Sequence, residues 1–127
     1  MLVTLLLLTS QSVIANCNYT FNQGTKHYNK YLVQIKEAEE YFQAGSKGTE
    51  DACLAFYEAS TRFKQAQKLS TTCGGSFRDA VKRCGTSGDS TKQREAKKHM
   101  TLCENNRTNA MTRYEQTQPH IKAVCPR

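Results

Sequence analysis

The chain has 127 residues, six cysteines, no tryptophan, two prolines and a formal net charge of +7. That length fits one domain. A charged share of 23%, with six tyrosines and five phenylalanines, excludes collagen-like, rod-like and multi-pass membrane classes.

Residues 1–15, MLVTLLLLTSQSVIA, carry no charged side chain. The apolar run Leu2 to Leu8 falls short of the about 20 residues that span a bilayer. Val13 and Ala15 stand at small-residue positions before Asn16, the pattern of a signal-peptidase site. Residues 1–15 therefore read as a cleaved secretory leader. Residues 16–127 read as one domain with no membrane anchor left after cleavage. In an exported chain, Cys17, Cys53, Cys73, Cys84, Cys103 and Cys125 pair into three disulfides.

The first predicted helix runs from about Asn22 to Ala44. Tyr28, Tyr31, Ile35, Ala38 and Phe42 recur on one face. Gly45 stands where a left-handed helix end belongs. Thr49 is the expected N-cap of the second helix, with Glu50 and Asp51 in its first turn. Ala52, Phe56, Ala59, Phe63, Ala66 and Ser70 form its buried stripe, and Cys73-Gly74-Gly75 ends it. A short helix from Ser76 to Cys84 follows, opened by Ser76 and Asp79 and stopped by Gly85.

GTSGD (85–89) is a predicted loop, and Ser90 with Gln93 opens the last helix. Ala96, Met100, Cys103, Met111 and Tyr114 hold one phase across the weak helix formers 104–109, with Arg107 the polar exception. One long helix to about Gln118 is favoured over a turn at 104–109, and Pro119 kinks or ends it. No strand-like alternation is present. Thr61-Arg62-Phe63-Lys64-Gln65-Ala66-Gln67 resembles Thr112-Arg113-Tyr114-Glu115-Gln116-Thr117-Gln118; one such pair does not make a repeat array.

The expected fold is all-α: a small, disulfide-stabilised antiparallel helical bundle of three long helices plus one short connecting helix. Six cysteines allow fifteen sets, among which the sequence does not choose; helix order makes Cys17–Cys73 reasonable, with Cys53–Cys103 if helix three returns antiparallel and Cys84–Cys125 remaining. A rival set pairs Cys84 with Cys103 and Cys53 with Cys125.

Charge is uneven along the chain. Residues 16–60 carry four basic and six acidic side chains, whereas residues 61–98 carry ten basic and three acidic. The ten are Arg62, Lys64, Lys68, Arg78, Lys82, Arg83, Lys92, Arg94, Lys97 and Lys98. A bundle gathers them toward one end, where they suit an acidic protein or another anionic surface. Nucleic acid is disfavoured, because only Phe77 offers a stacking ring in the densest stretch.

No cofactor or metal is expected. His99 and Cys103 have helical ligand spacing, but Cys103 is needed for a disulfide. Glu37, Glu39 and Glu40 read as a solvated face. No GxSxG, HExxH or phosphate-binding loop occurs. The primary expectation is a secreted, non-enzymatic interaction protein. The alternative is a small-molecule carrier with a pocket lined by Phe56, Phe63, Met100 and Tyr114; an enzyme ranks third. Asn18-Tyr19-Thr20 and Asn106-Arg107-Thr108 match the glycosylation acceptor pattern.

Overall fold

A computed structural model describes residues 2–49 and 51–126, with side chains from Ser12 to Thr49 and from Asp51 onward. Three helices follow in order: α1 (Leu2–Lys47), α2 (Ala52–Ser87) and α3 (Ser90–Val124). They form an antiparallel bundle with α2 in the middle. Its buried positions Phe56, Ala59, Phe63, Ala66, Ser70, Cys73, Phe77, Ala80 and Cys84 step by three and four residues without a break. That 3.5-residue period is the one that lets long helices stay in register on each other.

The two contacts of α2 are built differently. Against α1, large residues face small ones. An added Cβ on Gly24 would lie 2.8 Å from the Phe77 ring, and one on Gly45 3.0 Å from the Phe56 ring. Between these layers, Phe63 packs with Ala38 in one cluster. Against α3, small meets small. Cys73–Cys103 and Cys53–Cys125 set a register that places Ala80 level with Ala96, Ala66 with Ala110 and Ala59 with Thr117. All six are fully buried.

The seam between α1 and α3 is wider and is closed by side chains. Arg113 donates two hydrogen bonds to Glu39, at 2.7 and 2.8 Å. Lys92 Nζ donates to Asn18 Oδ1 at 2.5 Å. His99 stacks on Phe77 and meets the edges of Phe21 and Tyr28. At the other end His120 stacks on Phe56 and meets the edge of Phe42. Phe21/Phe42, Gly24/Gly45, Phe56/Phe77 and His99/His120 are each separated by 21 residues. The bundle thus uses one aromatic–glycine–histidine layer twice, about 31 Å apart at the helical rise.

Several expected boundaries move. Helix one begins well before Asn22, and Cys17 is already buried in it. Gly45 lies inside α1; the left-handed residue is Gly48, at φ 67°. Its N–H reaches Gly45 O while Thr49 N–H reaches Ala44 O, a Schellman closure. Gly88, at φ 80°, closes α2 the same way, with Asp89 N–H on Cys84 O. The N-caps are Asp51 and Asp89, which accept from Leu54 N–H and Lys92 N–H, rather than Thr49 and Ser90.

The short connecting helix does not exist as a separate element. Gly74 and Gly75 lie inside α2, which runs on to Ser87. Two helical glycines cost about 2 kcal/mol relative to alanine. Breaking there would release Phe77 and the Cys73–Cys103 bridge from the interior, and burial of one Phe alone offsets that cost. Segment 104–109 is helical, as favoured. Pro119 sits within α3 without ending it, because Ile121 is buried beyond it and Cys125 is tied to Cys53.

The disulfides are Cys17–Cys84, Cys53–Cys125 and Cys73–Cys103. None of the favoured pairings forms, and Cys53–Cys125 is the one shared with the rival set. Val13, Ile14 and Ala15 are the described end of the expected leader; its side chains before Ser12 lie outside the described residues. Among the described residues, no helix is long and apolar enough to cross a membrane.

Candidate functional site: the basic end

Seven of the ten basic residues belong to the last turns of α2 and the first turns of α3. The antiparallel turn at Gly88-Asp89 brings these segments together at one end of the bundle. Residues 76–98 hold seven basic and three acidic side chains. Lys82, Arg83, Arg94, Lys97 and Lys98 are exposed and make no salt bridge among the described residues. Lys92 is half-buried, bound to Asn18 and 5.5 Å from the Phe21 ring. Asp89 caps α3 and, with Asp79 and Glu95, leaves residues 76–98 seven basic to three acidic, a balance of +4.

Arg78 of the same segment is paired, and the three remaining basic residues, Arg62, Lys64 and Lys68, lie elsewhere. Arg78 pairs with Glu104 at 3.7 Å. Arg62 lies against α1, bonded to Glu37, close to Glu58 and over the Tyr41 ring. Lys64 and Lys68 face a groove between α2 and α3, where Arg107 joins them. The similar phrases at 61–67 and 112–118 have a structural counterpart. Arg62 and Arg113 grip neighbouring carboxylates of one α1 turn, Glu37 and Glu39, and each lies over the adjacent ring of Tyr41 or Phe42.

These pairs matter for the field outside the molecule. Three carboxylates of the acidic half, Glu37, Glu39 and Glu58, are engaged by arginines within the bundle. At the basic end five exposed cations make no salt bridge among the described residues, so its excess charge projects into solvent. α1 adds residues that the distribution of charge does not mark: Asn16 shares a shallow depression with Lys82, Arg83 and Thr86, closed on one side by Val13 of the expected leader, and Tyr19 is 64% exposed. Phe77 is fully buried and unavailable for stacking on a base.

The four residues expected to line a carrier pocket are spread over different parts of the bundle. Phe56 and Phe63 are packed into the core, Met100 belongs to the cluster around Cys17 and Phe77, and Tyr114 lines the outer α2/α3 groove. Cys103 is oxidised, so the pair His99 and Cys103 offers no thiolate ligand. His99 Nδ1 lies 2.7 Å from Glu95 O. Comparison of the chain with protein-family models, with curated proteins and with solved structures finds no match in any of the three.

Proposed function

We propose that this is a secreted, non-enzymatic interaction protein whose basic end binds a polyanionic partner surface. The observation that supports this reading most is the contrast between the two halves. Three carboxylates of the acidic half are held in ion pairs with arginines of the bundle, while five exposed cations around the α2–α3 turn make no salt bridge among the described residues. Three disulfides suit an oxidising compartment. Cys17–Cys84 ties the cation-bearing end of α2 to α1, and Cys73–Cys103 ties α2 to α3 beyond the cation-bearing turns.

The test is retention of the oxidised protein on heparin, on anionic vesicles and on DNA across a salt gradient. The expected result is retention at physiological ionic strength on one anionic class, lost steeply as salt rises. Joint reversal of Lys82, Arg83, Lys97 and Lys98 to glutamate abolishes it. Retention no greater than that of a charge-matched control protein refutes the reading.

A further inference from the structure

A second surface lies along the outer seam of α2 and α3, away from the basic end. Two shallow grooves of about 340 and 470 Å³ adjoin at Lys64 and Lys68, which line both, and together make one stretch of the seam, termed the channel. Its composition is graded. Tyr57 and Ile121 line one end, Tyr114 and Lys64 meet in the middle, and Lys68 and Arg107 follow toward Thr71 and Thr72 at the far end. No lining residue is acidic. Lys64 lies 5.2 Å from the Tyr114 ring, which joins the two halves. Tyr57 is 54% exposed, and Leu54 beside it is 61% exposed.

We infer that this channel seats an acidic amphipathic helix of a partner polypeptide as a fourth helix of the bundle. Three features select that occupant. The channel is open along its length, so a small molecule would remain mostly in water, whereas small-molecule sites bury most of their ligand. A uniformly charged polyanion would find cations at only one end. A helix with apolar anchors at one end and carboxylates farther along meets both, and the groove between two antiparallel helices is the shape into which a third helix packs. From Tyr57 to Thr72 the channel spans about 22 Å, or some 15 residues of helix. Anchors and carboxylates on the occupant are then separated by about two to three turns, the spacing of Tyr57 from Lys64 and Lys68 on α2.

This site is independent of the basic end, and its test uses different variants. The oxidised full chain is panned against a displayed library of helix-biased peptides of about 18 residues. Expected winners carry one or two large apolar residues and, two to three turns away, at least two carboxylates. Their affinity falls roughly tenfold or more in Lys64→Glu/Lys68→Glu and several-fold in Tyr57→Ala. It is unchanged in the variant with Lys82, Arg83, Lys97 and Lys98 reversed. All three groove positions are exposed, so the variants fold; far-UV circular dichroism checks this. Winners that bind Tyr57→Ala as well as wild type, or no enrichment over the Lys64→Glu/Lys68→Glu protein, overturn the proposal. So does a monomer–dimer equilibrium abolished by Lys64→Glu/Lys68→Glu, which makes a second copy the occupant.

Discussion

Four glycine-to-alanine substitutions read out the packing of α2 directly. Gly24, Gly45, Gly74 and Gly75 are all helical, so each gains about 1 kcal/mol of helix propensity as alanine. What differs is the space for a methyl group. At Gly75 nothing lies within 4 Å, and at Gly74 the nearest atom is Cys103 Cβ at 3.8 Å, an ordinary contact. At Gly45 the Phe56 ring is 3.0–3.1 Å away. At Gly24 three atoms of Phe77 are at 2.8 Å. Phe77 has no room to yield: it is fully buried, stacked on His99 at 5.1 Å and met by the Phe21 edge at 5.4 Å. Forced overpacking of this kind costs about 1–3 kcal/mol, which exceeds the propensity gain.

The expected order of stability is therefore Gly75→Ala above wild type by about 0.5–1 kcal/mol, Gly45→Ala near wild type, and Gly24→Ala below it by about 1–2 kcal/mol. Urea denaturation of the oxidised proteins, followed by far-UV circular dichroism, measures this as midpoint shifts at constant slope. The decisive case is Gly75→Ala. A chain that broke at Gly74-Gly75 would need glycine there, and alanine would destabilise it. A loss of stability in Gly75→Ala refutes the continuous α2, and equal behaviour of Gly24→Ala and Gly75→Ala refutes the Gly24–Phe77 layer.

Further outcomes follow from individual side chains. Arg113→Lys keeps the charge but loses the fork on Glu39 and the stacking over Phe42 and Phe63; a loss of about 1 kcal/mol that persists at high salt is expected in thermal melts, since packing is not screened. Ser70 is buried with no partner for its hydroxyl among the described residues, so Ser70→Ala raises the melting temperature, and a fall contradicts the assignment. His27 holds a buried, unpartnered Nδ1, and burial, then Lys30 and Lys26, push its pKa below the ordinary 6.5. The unfolded chain therefore takes up that proton first, so stability is full above about pH 6.5 and falls below it. His27→Gln flattens this part of the acid-side decline; an unchanged pH profile rules it out. Peptide mapping without reduction yields Cys17 linked to Cys84, Cys53 to Cys125 and Cys73 to Cys103.

The three long helices were legible because an unbroken interior period is the strongest signal a sequence carries. In α3 it persisted through the weak helix formers 104–109, and the helix persists there too. The bridges were not legible, and one misreading displaced them. Taking Gly74-Gly75 as a stop put the end of helix two beside the start of helix one, hence Cys17 beside Cys73. Once α2 runs on to Ser87, the residue level with Cys17 becomes Cys84, freeing Cys73 for Cys103 and Cys53 for Cys125. Local propensity argued for a break, and burial of Phe77 opposed it more strongly.

The basic site was half legible for a related reason. Counting cations along residues 61–98 finds where positive charge is made, not where it is left unpaired. Arg62 and Arg78 enter that count but are engaged by Glu37 and Glu104. Lys64 and Lys68 belong to a different surface, where their neighbours are Tyr114 and an arginine from beyond the counted segment. The five exposed cations at the α2–α3 turn are those that form no salt bridge among the described residues. Partner discrimination should follow that division. Variants at the turn change the salt dependence of anion binding, whereas variants at Tyr57, Lys64 and Lys68 change which peptide is held. If both sets altered the same binding curve in proportion, the two surfaces would be one electrostatic patch, and the separation drawn from the internal ion pairs would fail.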